Sequence, residues 1–183
     1  MRRRLRPVVL LLLLAGCSND APRTTSANTE FATGAALLAP FKRDLKTALQ
    51  RGLTDGPVAA VAACQLEAPT LAATHGNDTL RVGRTSHRLR SSANTAPDWV
   101  EPILRDYLAD PQAAAPVTRT LDDGRQGYVE PIRMQPLCVV CHGAALAPDV
   151  AARIAELYPD DKATGFTVGD LRGVFWAEYP AAN

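Results

Sequence analysis

Apolar side chains first fall into register at Leu37, Phe41, Leu45 and Leu49, the four-residue spacing of one helix face. Gly52 to Gly56 interrupts it. A second helix is predicted to start with Asp55 as cap and Pro57 in its first turn. Pro57, Val61, Cys64, Ala68 and Leu71 then share its inner face, and Pro69 introduces a kink. Thr79 to Leu89 alternates as a strand does, and Asp98 is read as the cap of a short helix ending at Leu108, with Trp99 and Ile103 inward. Two more alternating runs, Val117 to Leu121 and Gly127 to Met134, flank Asp122-Asp123-Gly124, a hairpin turn signal. Pro148 to Leu157 has helical spacing, and Gly173 to Tyr179 reads as a last, aromatic strand. Front helices followed by a meandering antiparallel sheet predict a single α+β domain over residues 34–183, and about 150 residues suffice for one core.

The first 33 residues carry a different pattern. Arg2, Arg3, Arg4 and Arg6 precede an apolar run from Val8 to Ala15. Such a run is too short to cross a bilayer and reads as a secretory signal peptide over residues 1–16. Leu14-Ala15-Gly16-Cys17 resembles the lipobox of bacterial lipoproteins, which makes Cys17 the candidate lipidated residue. Residues 17–33 then form a polar, flexible tether. The expected location is the bacterial cell envelope, facing the periplasm and held by lipid; Ser18 after the cysteine points to the outer membrane. Loss of residues 1–16 removes four arginines, so Lys plus Arg falls from 20 to 16 against 19 Asp plus Glu, a net charge of −3. Nothing in that balance suggests a nucleic-acid partner.

One pentapeptide stands out from the pattern: Cys138-Val139-Val140-Cys141-His142. Two thiols two residues apart can reach the two vinyl groups on one porphyrin edge, and the next imidazole can serve the iron as proximal ligand. At this composition the pattern arises by chance in roughly one such chain in a thousand. A zinc site would need about four ligands, with Cys64, His75 and His87 the remaining candidates. A dithiol redox motif would be expected near a βαβ unit. The reading favoured is one covalently bound haem c, and an export signal suits it.

With Cys17 assigned to lipid and Cys138 and Cys141 to haem, Cys64 is left unpaired in an oxidising compartment. It is either a small buried apolar residue or the second axial ligand. No Met or His follows His142, so the upstream candidates are Cys64, His75, His87 and Met134. Met134 lies four residues before Cys138 and suits a pocket wall; His75 and His87 suit solvated positions.

Val82-Gly83-Arg84-Thr85-Ser86, Gln135-Pro136-Leu137-Cys138 with Cys141-His142-Gly143, and Tyr158 to Phe166 with Gly169-Asp170-Leu171-Arg172-Gly173 resemble the bacterial haem-c-binding PAS-like domains. These were long catalogued as domains of unknown function. They occur as small exported monohaem cytochromes and as sensor domains of histidine kinases. The resemblance covers roughly residues 34 to 180 and implies a PAS-like antiparallel sheet with N-terminal helices and a C-terminal haem attachment loop. It also implies Cys64 as the distal ligand opposite His142. Phe166 in place of a tyrosine and the late Trp176 depart from the family pattern without touching the ligands.

Arg81, Arg84, Arg88 and Arg90 crowd the first strand. Any one of them can be a solvated basic side chain, but Arg84 and Arg172 fall in the family-like segments and are the candidates for the haem propionates. The chain shows no nucleophile elbow, phosphate loop or spaced carboxylate pair, so an enzyme is not expected. Two roles remain: a low-potential electron-transfer protein, or a redox or gas sensor acting through a separate protein partner.

Overall fold

The computed structural model describes the backbone of residues 24–181 and the side chains of residues 32–181; the signal peptide and Cys17 lie outside the described residues. Helix α1 spans Thr24–Thr54 and α2 spans Pro57–His75. The helical part of the chain thus begins ten residues before the expected start at 34. Gly56, at φ 100°, reverses the chain between the helices and is itself the N-cap of α2. Asp55 is exposed and is not the cap: so short a reversal needs a left-handed residue immediately before Pro57, a position glycine tolerates without penalty. Among the described residues, no helix is long and apolar enough to cross a membrane.

Four strands follow, β1 (Arg81–Thr85), β2 (Val117–Thr120), β3 (Gln126–Arg133) and β4 (Leu171–Tyr179), with α3 (Glu101–Ala109) between β1 and β2. They form one antiparallel sheet in the order β1-β4-β3-β2. The β2–β3 hairpin turns where predicted, with Gly124 at φ 81° and the Asp123 carboxylate accepting from the Arg125 amide. Asp98, in contrast, does not cap α3; Val100 holds that position. Trp99 beside it is only half-buried, its ring edge-on to Trp176 and its indole N–H donating to Glu178.

Strand alternation gives the sheet two dry faces. On one, Tyr128, Ala177 and Tyr179 pack with Leu38 and Phe41 of α1; on the other, Val129, Val174 and Trp176 pack with Val100, Ile103 and Tyr107. The described fold is therefore α+β, as expected, with helices against both faces. After β3 come the one-turn helix α4 (Val139–His142) and α5 (Pro148–Leu157). Val150 and Ile154 of α5 bury against Val61 of α2, tying the second front helix to the region of the cysteine motif. Ile154 is 4% exposed, so Ile154→Val should cost about 0.5–1.5 kcal/mol, seen as a Tm lower by roughly 1–6 °C when parent and variant are melted together.

Candidate functional site

Cys138, Cys141 and His142 are presented by α4 and the turn before it. The Cys138 carbonyl accepts from the His142 amide at 3.0 Å, closing the turn. Gly143 follows it as the C-cap with ψ 176°, at a position where a Cβ would stand 2.5 Å from the Val139 carbonyl oxygen. Beyond, the Gly143 and His142 carbonyls accept from the amides of Gly165 and Phe166, both at 2.9 Å. This fastens the 161–166 loop against the motif. Met134, 1% exposed, packs with Ala163 and Phe166 behind Cys138 and Val139; it backs the motif and is not part of the cavity wall.

The fastened loop brings the Ala163 carbonyl within 2.6 Å of His142 Nδ1. A carbonyl only accepts, so Nδ1 carries the proton and the Nε2 lone pair remains available to a metal ion. Burial first, then the positive fields of Arg172 and Arg90, lower the His142 pKa to about 3. The imidazole is therefore neutral at any physiological pH.

His142 and both motif cysteines line a cavity of about 510 Å³, inside the range of roughly 300–1,000 Å³ usual for ligand sites. Leu45, Leu49 and Leu53 of α1 form one wall, and Ala60, Val61, Cys64 and Ala68 of α2 another. Cys64 thus faces the same space as His142, across helices that sequence spacing alone would have turned toward the core. Its thiol is a free, half-buried group. Burial raises its pKa, and the charges of Arg84 and Arg90 pull the other way.

The polar lining is one-sided. Lys42, Arg43, Lys46, Arg84, Arg90 and Arg172 line the cavity, and among the described residues no Asp or Glu does. Lys42, Arg43 and Arg90 are neutralised by Glu130, Asp44 and Asp161. Arg84 forms no ion pair among the described residues, and burial lowers its pKa. Arg172 gives one hydrogen bond to the Arg88 carbonyl and lies over the Phe166 ring; burial, then Arg84 and Arg90, lower its pKa to about 10. Two guanidinium groups facing a sheltered space without a counter-charge suit carboxylates of a bound molecule.

Other candidates are placed elsewhere. His75 closes α2 and bonds Asp44 at 2.8 Å, outside the cavity. His87 stands edge-on to Phe166, lining a separate groove with Arg88. Arg81 pairs with Glu178, and Arg88 donates to the Lys162 and Thr164 carbonyls. A solvated basic strand face therefore describes Arg81 but not Arg84 or Arg90. Among the described residues no three His, Cys, Asp or Glu side chains gather as a metal-binding group.

Sequence reasoning missed Arg90 and Tyr158 as cavity residues. Arg90 lies past the end of β1, where strand alternation no longer tells which way a side chain points. Leu45 and Leu49 were legible as one apolar face, but nothing in their spacing separates a core wall from a cavity wall.

The sequence profile of the Tll0287-like family matches residues 18–180. The crystal structure of the cyanobacterial heme-protein Tll0287 superposes with a TM-score of 0.58 at 21% identity, over 89% of this chain and 99% of that one; at that identity the likeness is one of fold. No curated protein matches the chain.

Proposed function

The chain belongs to the Tll0287-like family, and from there we propose that it is an exported, lipid-anchored monohaem c-type cytochrome working as a low-potential electron-transfer protein. The observation that carries this reading is the meeting, on one cavity, of Cys138, Cys141, His142 and Cys64 with the uncompensated Arg84 and Arg172. Bound haem supplies one-electron chemistry at its iron. The residues fit it in kind: Cys138 and Cys141 offer thiols for two thioether bonds, His142 a fixed tautomer with Nε2 free, and Arg84 and Arg172 donors for the propionates. The leucines of α1 and the small residues of α2 would keep water from a haem held there, which would strengthen every charge inside.

Cys64 decides the character of the site. A thiol that coordinates a metal ion gives up its proton to solvent, and thiolate donation favours ferric iron, whereas a thioether partner raises the potential. Reduction would therefore be difficult, which suits a low-potential donor. The partner would be a redox protein of the envelope, with the membrane reached through lipid on Cys17 and no nucleic acid involved; no catalytic role is proposed.

One observation favours the sensor reading. Burial raises the Cys64 pKa, so reduction of the iron would favour release of a protonated thiol and leave a position for a small gas. The test common to both is the optical and electron paramagnetic resonance spectrum of the haem-matured chain and of Cys64→Ala, ferric and ferrous. A low-spin ferric thiolate signature present in the parent and lost in the variant is the expected result. Unchanged spectra would make Cys64 a wall residue and leave a simple carrier. Gas binding on reduction in the parent would select the sensor.

A further inference from the structure

We infer that Arg90 is a positioning residue for His142, governing how strongly Nε2 donates by sharing the carbonyl oxygen to which the imidazole is bonded; this rests on the reading of His142 as the proximal ligand of a haem. Arg90 Nη2 donates to the Cys141 carbonyl at 2.6 Å and to the Ala163 carbonyl at 3.3 Å. The same guanidinium is gripped by Asp161, with Nε on Oδ1 at 3.0 Å and Nη2 on Oδ2 at 3.3 Å, so that the two N–H groups of Nη2 serve three acceptors. Both side chains are well sheltered, at 12% and 8% exposure. The Ala163 oxygen that Arg90 reaches is the one that accepts His142 Nδ1–H at 2.6 Å.

A carbonyl oxygen has two lone pairs, and a cationic donor on one of them draws electron density from the other. The bond from Nδ1–H is then weaker than it would be to an unshared carbonyl. A metal-bound imidazole gains basicity when its far N–H has a strong acceptor. Arg90 holds that gain back, keeping His142 an imidazole rather than letting it approach an imidazolate.

Fastening the loop does not depend on Arg90. The Lys162 amide donates to the Leu89 carbonyl at 2.8 Å, the Ala163 amide to Asp161 Oδ1 at 2.9 Å, and Gly165 and Phe166 to the motif, as above. Removing the guanidinium therefore leaves the acceptor in place and takes a donor off it. Asp161 pairs with Arg90, and the part of the guanidinium's positive field that still reaches His142 acts in the same direction as the shared oxygen; Arg90→Lys, which keeps the charge, separates the two. Arg88 makes the contrast: it ends on the Lys162 and Thr164 carbonyls, neither of which His142 touches.

The test is the haem-matured full chain against the double variant Arg90→Met with Asp161→Asn. The pair removes one charge of each sign, and the carboxamide oxygen introduced at position 161 still accepts the Ala163 amide. Three quantities are read: covalent haem per chain, midpoint potential, and the ferric-state proton resonance of His142 Nδ1–H. The expected result is full haem content, a lower midpoint potential and a displaced Nδ1–H resonance. Full haem with potential and resonance both at the parent's values would overturn the inference. Arg90→Lys is the second variant: it keeps the charge opposite Asp161, but one ammonium cannot reproduce the fork. It should displace the same resonance, and a parent-like resonance would overturn the inference even if the double variant failed to fold. A parent chain without haem would instead overturn the site reading itself, a result distinct from any of these.

Discussion

Cys138→Ser together with Cys141→Ser is expected to abolish covalent haem retention: after denaturation and acidic organic extraction, all pigment should leave the polypeptide, where the parent keeps it. The two thiols sit at the ends of one helical turn, Cys138 packed against the cluster of Met134, Ala163 and Phe166 and Cys141 against that of Val61, Val150 and Ile154. Both thiols are free and half-buried, so two hydroxyls should cost the fold only about 1–3 kcal/mol. His142 stays bonded to Ala163, and the double variant should therefore still bind haem reversibly. Each single variant keeps one thioether and so retains the pigment with one vinyl group unreacted, displacing its reduced absorption band from the parent's. Pigment that stays with the denatured double variant would refute covalent attachment through these residues.

Gly173→Ala should be the most damaging single methyl group in the sheet. Gly173 has φ 156°, and a Cβ there would lie 2.0 Å from the Thr85 carbonyl oxygen and 3.1 Å from Ser86 Cα and Cβ. The obstacle is backbone, so no rotamer change relieves it. The end of β1 would have to separate from β4, breaking the Ser86 Oγ–H bond to the Arg172 carbonyl at 2.6 Å. A cost of roughly 3 kcal/mol or more follows, a Tm lower by about 6–12 °C for a chain of this size. The same displacement would move Arg84 and Arg172, the two guanidinium groups of the cavity that form no ion pair among the described residues. A variant melting within about 2 °C of the parent would show that the strands can part here at little cost.

The parts of the fold that were legible are those fixed by neighbours in sequence. The hairpin turn at Asp122-Asp123-Gly124 and the helix from Pro148 to Leu157 depend on local backbone preference and a single apolar stripe, and both stand where the pattern placed them. Asp55 and Asp98 failed as caps because each is one candidate among several polar residues in its turn, and the choice was made by chain reversal and by the seating of Val100 in the core. For the site, the motif was readable because its chemistry is contiguous. Arg84 and Arg172 came from resemblance, not from any local rule. That Cys64 shares a cavity with His142 is a long-range fact, produced by the packing of α2 on α5 and α4, and periodicity could only turn it inward. Arg90 was hidden for the same reason: its partners lie 51 and more residues away.

The order β1-β4-β3-β2 leaves two strands with an unpaired side, of five and four residues. Each carries an exposed guanidinium, Arg81 on β1 and Arg119 on β2. Brevity makes both borders poor templates for a neighbouring chain, because a second copy offering the same border would gain few ladder bonds, and on β2 Arg119 would also meet its own charge. The two long strands lie inside the sheet, with β2 covering Gln126 to Val129 of β3 and β1 covering Val174 to Glu178 of β4. Strand order thus puts the two shortest strands at the borders of the sheet, where self-association would start.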